Sequence, residues 1–144
     1  MGLLDDLYSG TIVEHNRRPR NRGVPASYDV AQEGLNPGCG DELTLYLKLH
    51  DDRLATVMFD GEGCAISQAA ASLLTQAVCG ATLQDAESLI ESFKQMMHGA
   101  KPDPALGDSQ VLQGVARLPA RVKCATLPWS TLEVALQRLV VTAE

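Results

Sequence analysis

Residues 36–41 read NPGCGD, a cysteine enclosed by two glycines with an aspartate two positions further on. A turn needs neither the sulfur nor the charge, whereas a divalent metal can use both, since thiolate and carboxylate are each donors to zinc. The cysteines Cys39, Cys64, Cys79 and Cys124 are spaced C-x24-C-x14-C-x44-C, with no CxxC knuckle. That pattern gives little support to a zinc finger and leaves open a site assembled from distant loops. Two disulfides would fit the count, but a reducing cytoplasm does not keep them.

The elements that must position these groups follow from period and punctuation. An opening helix is expected over 2–16, with Leu3, Leu4, Leu7, Ile12 and His15 roughly on one side before Pro19 forbids continuation. Three strands are expected at 27–32, 42–50 and 54–60, the middle one alternating strictly at Leu43, Leu45, Leu47 and Leu49. The tight HDDR link makes the last two a hairpin. From Ala65 the period becomes helical through Ile66, Ala69, Ala70, Leu73, Leu74, Ala77 and Val78, ending near Gly80. Thr82 caps a further helix, with Asp85 three residues on, that Gly99 stops. A short helix is expected at SQVLQGV, and Pro128 is placed in the first turn of a final helix through Leu132, Leu136, Leu139 and Val140. These elements predict an α+β fold, a three-stranded antiparallel sheet packed with several helices, in one domain over 1–144.

An antiparallel meander puts the connection between its first two strands at the same end as the exit from its third. Cys39 and Asp41 lie in that connection and Cys64 four residues past the third strand, so topology brings all three to one edge. Cys124 is expected just before the last helix. Cys64 and Cys124 would then both lie near helix N-termini, where the macrodipole favours thiolate. Three thiolates and one carboxylate make a tetrahedral zinc site with a first shell of roughly −2 net charge, for which Arg121 and Lys123 are candidate neighbouring cations. Gly38 and Gly40 leave room for another molecule to approach the sulfur of Cys39. Spacing alone leaves open that each cysteine is a small buried hydrophobe and Asp41 a turn residue. Cys79, off the apolar stripe, is set aside, and His15, His50 and His98 are expected in surface or capping roles.

Net charge −6 with pI near 5.0 argues against nucleic acid as the main partner. No apolar run reaches the roughly 20 residues of a membrane span, and the acidic start is unlike a signal peptide, so a cytoplasmic protein is expected. One basic patch stands out, Arg17, Arg18, Arg20 and Arg22 in RRPRNR, either a solvated face or a docking surface for an acidic protein.

The blocks LYSGTIVEHNRRPRNRG, NPGCGDELTLYLKL, FDGEGCAISQAAASLLTQAV and LQGVARLPARVKCATLPW, in this order, resemble the U-type iron-sulfur assembly proteins and specifically their SufU branch. The resemblance implies a zinc-bound sulfurtransferase that takes sulfur from a SufS-type cysteine desulfurase, a pyridoxal phosphate enzyme. It places Cys39, Asp41, Cys64 and Cys124 on the family's zinc ligands and Cys39 on the persulfide acceptor. It also suggests ligand exchange, in which a partner histidine replaces Cys39 on the metal. The related IscU scaffolds carry a histidine directly before the third cysteine, where this chain has Lys123, and their LPPVK stretch has no clear counterpart in LPARVK. The segment between Cys79 and Cys124 resembles the insertion that marks the SufU branch. The alternative is an iron-sulfur cluster scaffold built on the same four side chains.

Overall fold

The computed structural model describes residues 10–38 and 40–143. Cys39, Leu3, Leu4 and Leu7 lie outside the described residues. In chain order the elements are α1 (Gly10–Arg17), β1 (Val30–Asn36), β2 (Asp41–His50), β3 (Arg53–Glu62), α2 (Ala65–Val78), α3 (Leu83–Met97), a 3-10 segment (Pro104–Arg117) and α4 (Pro119–Ala143).

The sheet is a meander in the order β1-β2-β3, both pairs antiparallel. Alternation in β2 buries Leu43, Leu45 and Leu47, and Leu54, Val57 and Phe59 of β3 join them. The β2–β3 hairpin closes through Asp51 (φ 52) and Asp52 (φ 63) between paired His50 and Arg53, a two-residue turn that requires positive φ at both positions.

α4 packs against β1 and β2 and against α2, and α1 packs on α2. Between α3 and α4, Phe93 stacks on Trp129 with ring centroids 4.8 Å apart. Residues 21–23 run parallel to β3 and close its outer edge, Gly23 N–H donating to Phe59 O at 2.8 Å and Phe59 N–H to Asn21 O at 3.0 Å. No helix among the described residues is long and apolar enough to cross a membrane.

Two expectations of element placement are corrected. β1 starts at Val30 rather than residue 27 and runs on to Asn36. Its Gly34, a weak strand former, is there because α4 lies directly over it: an added Cβ would sit 2.0 Å from Thr131 Oγ1. The last helix starts at Pro119, so Pro128 lies inside it rather than in its first turn. Pro119 takes the tolerant first position. Pro128 removes the N–H that would have reached the Cys124 carbonyl.

Candidate metal centre

Asp41 opens β2, Cys64 caps α2, and Cys124 lies in the second turn of α4. One ligand atom from each comes within 4.8 Å of the others. Asp41 and Cys124 are buried and Cys64 is partly so. The parity of the meander delivers the first two: Asn36 at the end of β1 pairs with Asp41, and Glu42 pairs with Glu62, two residues before Cys64.

Cys64 is an N-cap in extended conformation (φ −72, ψ 170), its sulfur accepting from the Ser67 amide at 3.4 Å. Cys124 corrects the sequence expectation. It lies beyond the first turn of α4, where the macrodipole no longer favours its thiolate. Burial, followed by the hydrogen bond and charge of Cys64 and then by Asp41, pushes its thiol well above the usual range.

The Asp41 carboxylate is tightly held. Its Oδ1 accepts from the Cys64 amide at 3.0 Å and from the Ser67 hydroxyl at 3.2 Å, and its Oδ2 accepts from Asn36 Nδ2 at 3.4 Å. Gly63 makes this approach possible, since a Cβ there would sit 2.3 Å from Ser67 Oγ and 2.7 Å from Asp41 Oδ1. Arg121 is exposed, and its guanidinium is held further toward the charged form by a hydrogen bond to Cys124 and by the nearby charge of Cys64 and Cys124. Lys123 is exposed.

Two thiols and a carboxylate thus converge where burial penalises negative charge, and one exposed guanidinium stands beside them. A divalent cation fits that donor set: it supplies the positive charge and converts the thiols to thiolates. The loop carrying Cys39 is open on either side, as a Cβ at Gly38 or Gly40 would meet nothing within 4 Å, and Gly40 takes φ +71.

Cys79 is exposed at the C-terminal cap of α2 and is not part of this cluster. His50 is exposed, and His98 caps α3 with Nδ1 2.8 Å from Lys94 O. His15 departs from the expected surface role: it is 2% exposed, with Nδ1 2.7 Å from Ser72 Oγ. In the arginine patch Arg17 and Arg18 are exposed, Arg20 reaches Glu14 at 3.4 Å, and Arg22 donates to Gly61 O at 3.1 Å and lies 3.8 Å from Asp60. Sequence reasoning missed Asn36, Gly63 and Ser67 as partners of the site. The visible signal was the GCxxS order in GEGCAIS, where Gly63 directly precedes a capping cysteine and the serine stands three residues after it.

Residues 7–136 match the family model described as NifU-like N terminal domain. Among similar proteins, the zinc-dependent sulfurtransferase SufU of Bacillus subtilis is 45% identical over 90% of this chain and 89% of its own. The iron-sulfur cluster assembly scaffold protein IscU of Streptococcus pyogenes is 37% identical over 96% of this chain and 87% of its own. The crystal structure of FiSufU from Fervidobacterium islandicum AW-1 superposes with a TM-score of 0.84 at 35% identity, over 92% of this chain and 98% of that one.

Proposed function

This chain belongs to the family of NifU-like N-terminal domains, and from that membership we propose that it serves iron-sulfur cluster assembly as a zinc-bound sulfurtransferase. Its Cys39 takes persulfide sulfur from a SufS-type cysteine desulfurase, in the cytoplasm. The observation that carries this reading is the convergence of Asp41, Cys64 and Cys124 within 4.8 Å at the sheet end where the Cys39 loop joins β1 to β2. The 45% identity to a zinc-dependent sulfurtransferase supports zinc as the metal.

When bound, zinc would hold the thiolates deprotonated and tie three separate elements together. Asp41, Cys64 and Cys124 come from β2, the α2 cap and α4, so the scaffold itself keeps them in place. Cys39 differs in its setting, a loop flanked by glycines with open space around both. Its thiolate attacks the outer sulfur of the desulfurase persulfide. A new S–S bond forms on Cys39 as the old one breaks, and the electron pair leaves on the desulfurase cysteine, so no net oxidation occurs. Arg121 stabilises the negative charge around Cys124 and Cys64. Arg17, Arg18, Arg20 and Arg22 are assigned to docking the desulfurase.

A second reading, a scaffold that assembles and transfers a cluster on the same side chains, is favoured by the IscU relatives. Metal and sulfide analysis after anaerobic purification, followed by a desulfurase assay with and without the protein, separates the two. One zinc per chain with stimulation of the desulfurase supports sulfur transfer. Bound iron with bridging sulfide and no stimulation overturns it in favour of the scaffold.

A further inference from the structure

Asp41 is 2% exposed, and the two oxygens of its carboxylate are not equivalent. Oδ1 takes two donors, the Cys64 amide at 3.0 Å and the Ser67 hydroxyl at 3.2 Å, which occupy both of its lone pairs. Oδ2 has one long amide contact, from Asn36 at 3.4 Å, and the Cys124 thiol that also bonds the carboxylate would give up its proton on ligating a metal, which leaves Oδ2 a lone pair for the ion.

Ser67 Oγ carries a single proton and has two acceptors in reach, Asp41 Oδ1 and the Cys64 carbonyl at 3.0 Å. Each acceptor already holds one amide donor at 3.0 Å, Gln68 on the carbonyl and Cys64 on Oδ1, so charge separates them. The charged acceptor therefore takes the proton, since hydrogen bonds to ionised carboxylates are the stronger ones. Two further features fit a built contact rather than an incidental one. Ser67 is 5% exposed, and the absence of a side chain at Gly63 is what lets its hydroxyl and Asp41 meet.

We propose that Ser67 is a positioning residue that, with the Cys64 amide, saturates Oδ1 of Asp41 so that the aspartate offers the metal one oxygen, Oδ2, and binds it in monodentate fashion. Three thiolates and one oxygen then give four-coordination. A carboxylate released from Ser67 is free to swing both oxygens onto the metal and raise the coordination number. This inference rests on the metal site proposed above.

Cobalt(II) substitution tests it without any activity assay, because d–d band intensity separates four- from five-coordinate cobalt and a thiolate-to-cobalt charge-transfer band reports the thiolates. The wild type is expected to show the charge-transfer band with strong four-coordinate d–d bands. Ser67→Ala should keep the charge-transfer band, lose much of the d–d intensity and bind cobalt about 10–100-fold more weakly. Ser67→Thr, which keeps the hydroxyl, should restore both. Adding Ser67→Ala to Asp41→Ala should change neither the d–d bands nor the affinity further, a result that a purely structural serine would not give.

A Ser67→Ala spectrum and affinity equal to wild type, with the charge-transfer band present, overturns the role of Ser67 and leaves the metal site standing. Loss of affinity in Ser67→Ala that persists in the Asp41→Ala background overturns it as well. No charge-transfer band in the wild type overturns the metal reading and this inference with it.

Discussion

His15 Nδ1 lies 2.7 Å from Ser72 Oγ, and the same oxygen accepts the backbone amide of Arg20 at 2.8 Å. One buried hydroxyl thereby joins α1, the arginine segment and α2. Ser72 Oγ accepts from Arg20 and has a second lone pair and a proton left, so its bond with His15 Nδ1 runs in the direction the imidazole tautomer sets. Burial, followed by the charge of Arg20, lowers the His15 pKa below its ordinary 6.5, against smaller opposing effects from Asp108 of the 3-10 segment and Glu14.

A histidine whose pKa is depressed on folding binds fewer protons in the native than in the unfolded state below pH 6.5, so stability rises with pH there. Its contribution is complete above the unfolded pKa of 6.5 and is lost as pH falls from there through the folded value. Denaturant unfolding across that window should show the decline in wild type and a flatter profile in His15→Gln. Ser72→Ala should cost about 1–3 kcal/mol at neutral pH by leaving the imidazole nitrogen buried without a partner.

Removal of the metal should lower the melting temperature clearly, because binding to ligands drawn from three elements is folding free energy. X-ray absorption of the purified protein is expected to show three sulfur neighbours at about 2.3 Å and one lighter ligand. Cys64→Ser and Cys124→Ser should lose both metal and thermal stability.

Cys39→Ser should separate the acceptor from the anchors. Most of its zinc is expected to remain, held by the other three ligands, while stimulation of the desulfurase is lost. After one turnover with desulfurase and free cysteine, mass spectrometry should find the added mass of one sulfur atom on the Cys39 peptide. The adduct on exposed Cys79 or on buried Cys124 would reverse this assignment of roles.

Gly34→Ala should destabilise by about 1–3 kcal/mol through overpacking, or about 2–4 °C in melting temperature per kcal/mol. Its new methyl would collide with Thr131 Oγ1, which is held in place by a 2.7 Å bond to Leu127 O. In the Thr131→Ala background the same substitution should cost clearly less, a non-additivity expected only of residues in contact.

Arg17, Arg18 and Arg22 are exposed, but Arg20 and Arg22 already hold Glu14, Gly61 and Asp60. Arg17→Ser with Arg18→Ser should weaken desulfurase binding most at low ionic strength, leaving metal content and melting temperature unchanged. Equal affinity at low salt would reduce the patch to a solvated face.

What was legible in the sequence is what a few neighbouring residues decide. Alternating leucines mark β2, HDDR marks the hairpin, Thr82 with Asp85 marks the α3 cap, and the glycines after α2 and α3 mark their ends. The parity of a meander is equally local, and from it alone Asp41 and Cys64 were expected at one edge. Tertiary structure decided the rest. Gly34 reads as a strand breaker until α4 is seen lying on it, and Pro128 reads as a helix start until Pro119 is seen to supply one. His15 becomes a core residue only through Ser72, 57 positions away, and Asp41 is held by a hydroxyl 26 positions away. The physical reason is range: period and capping act within about one turn, whereas burial and hydrogen-bond partnership depend on which faces meet after the chain has folded.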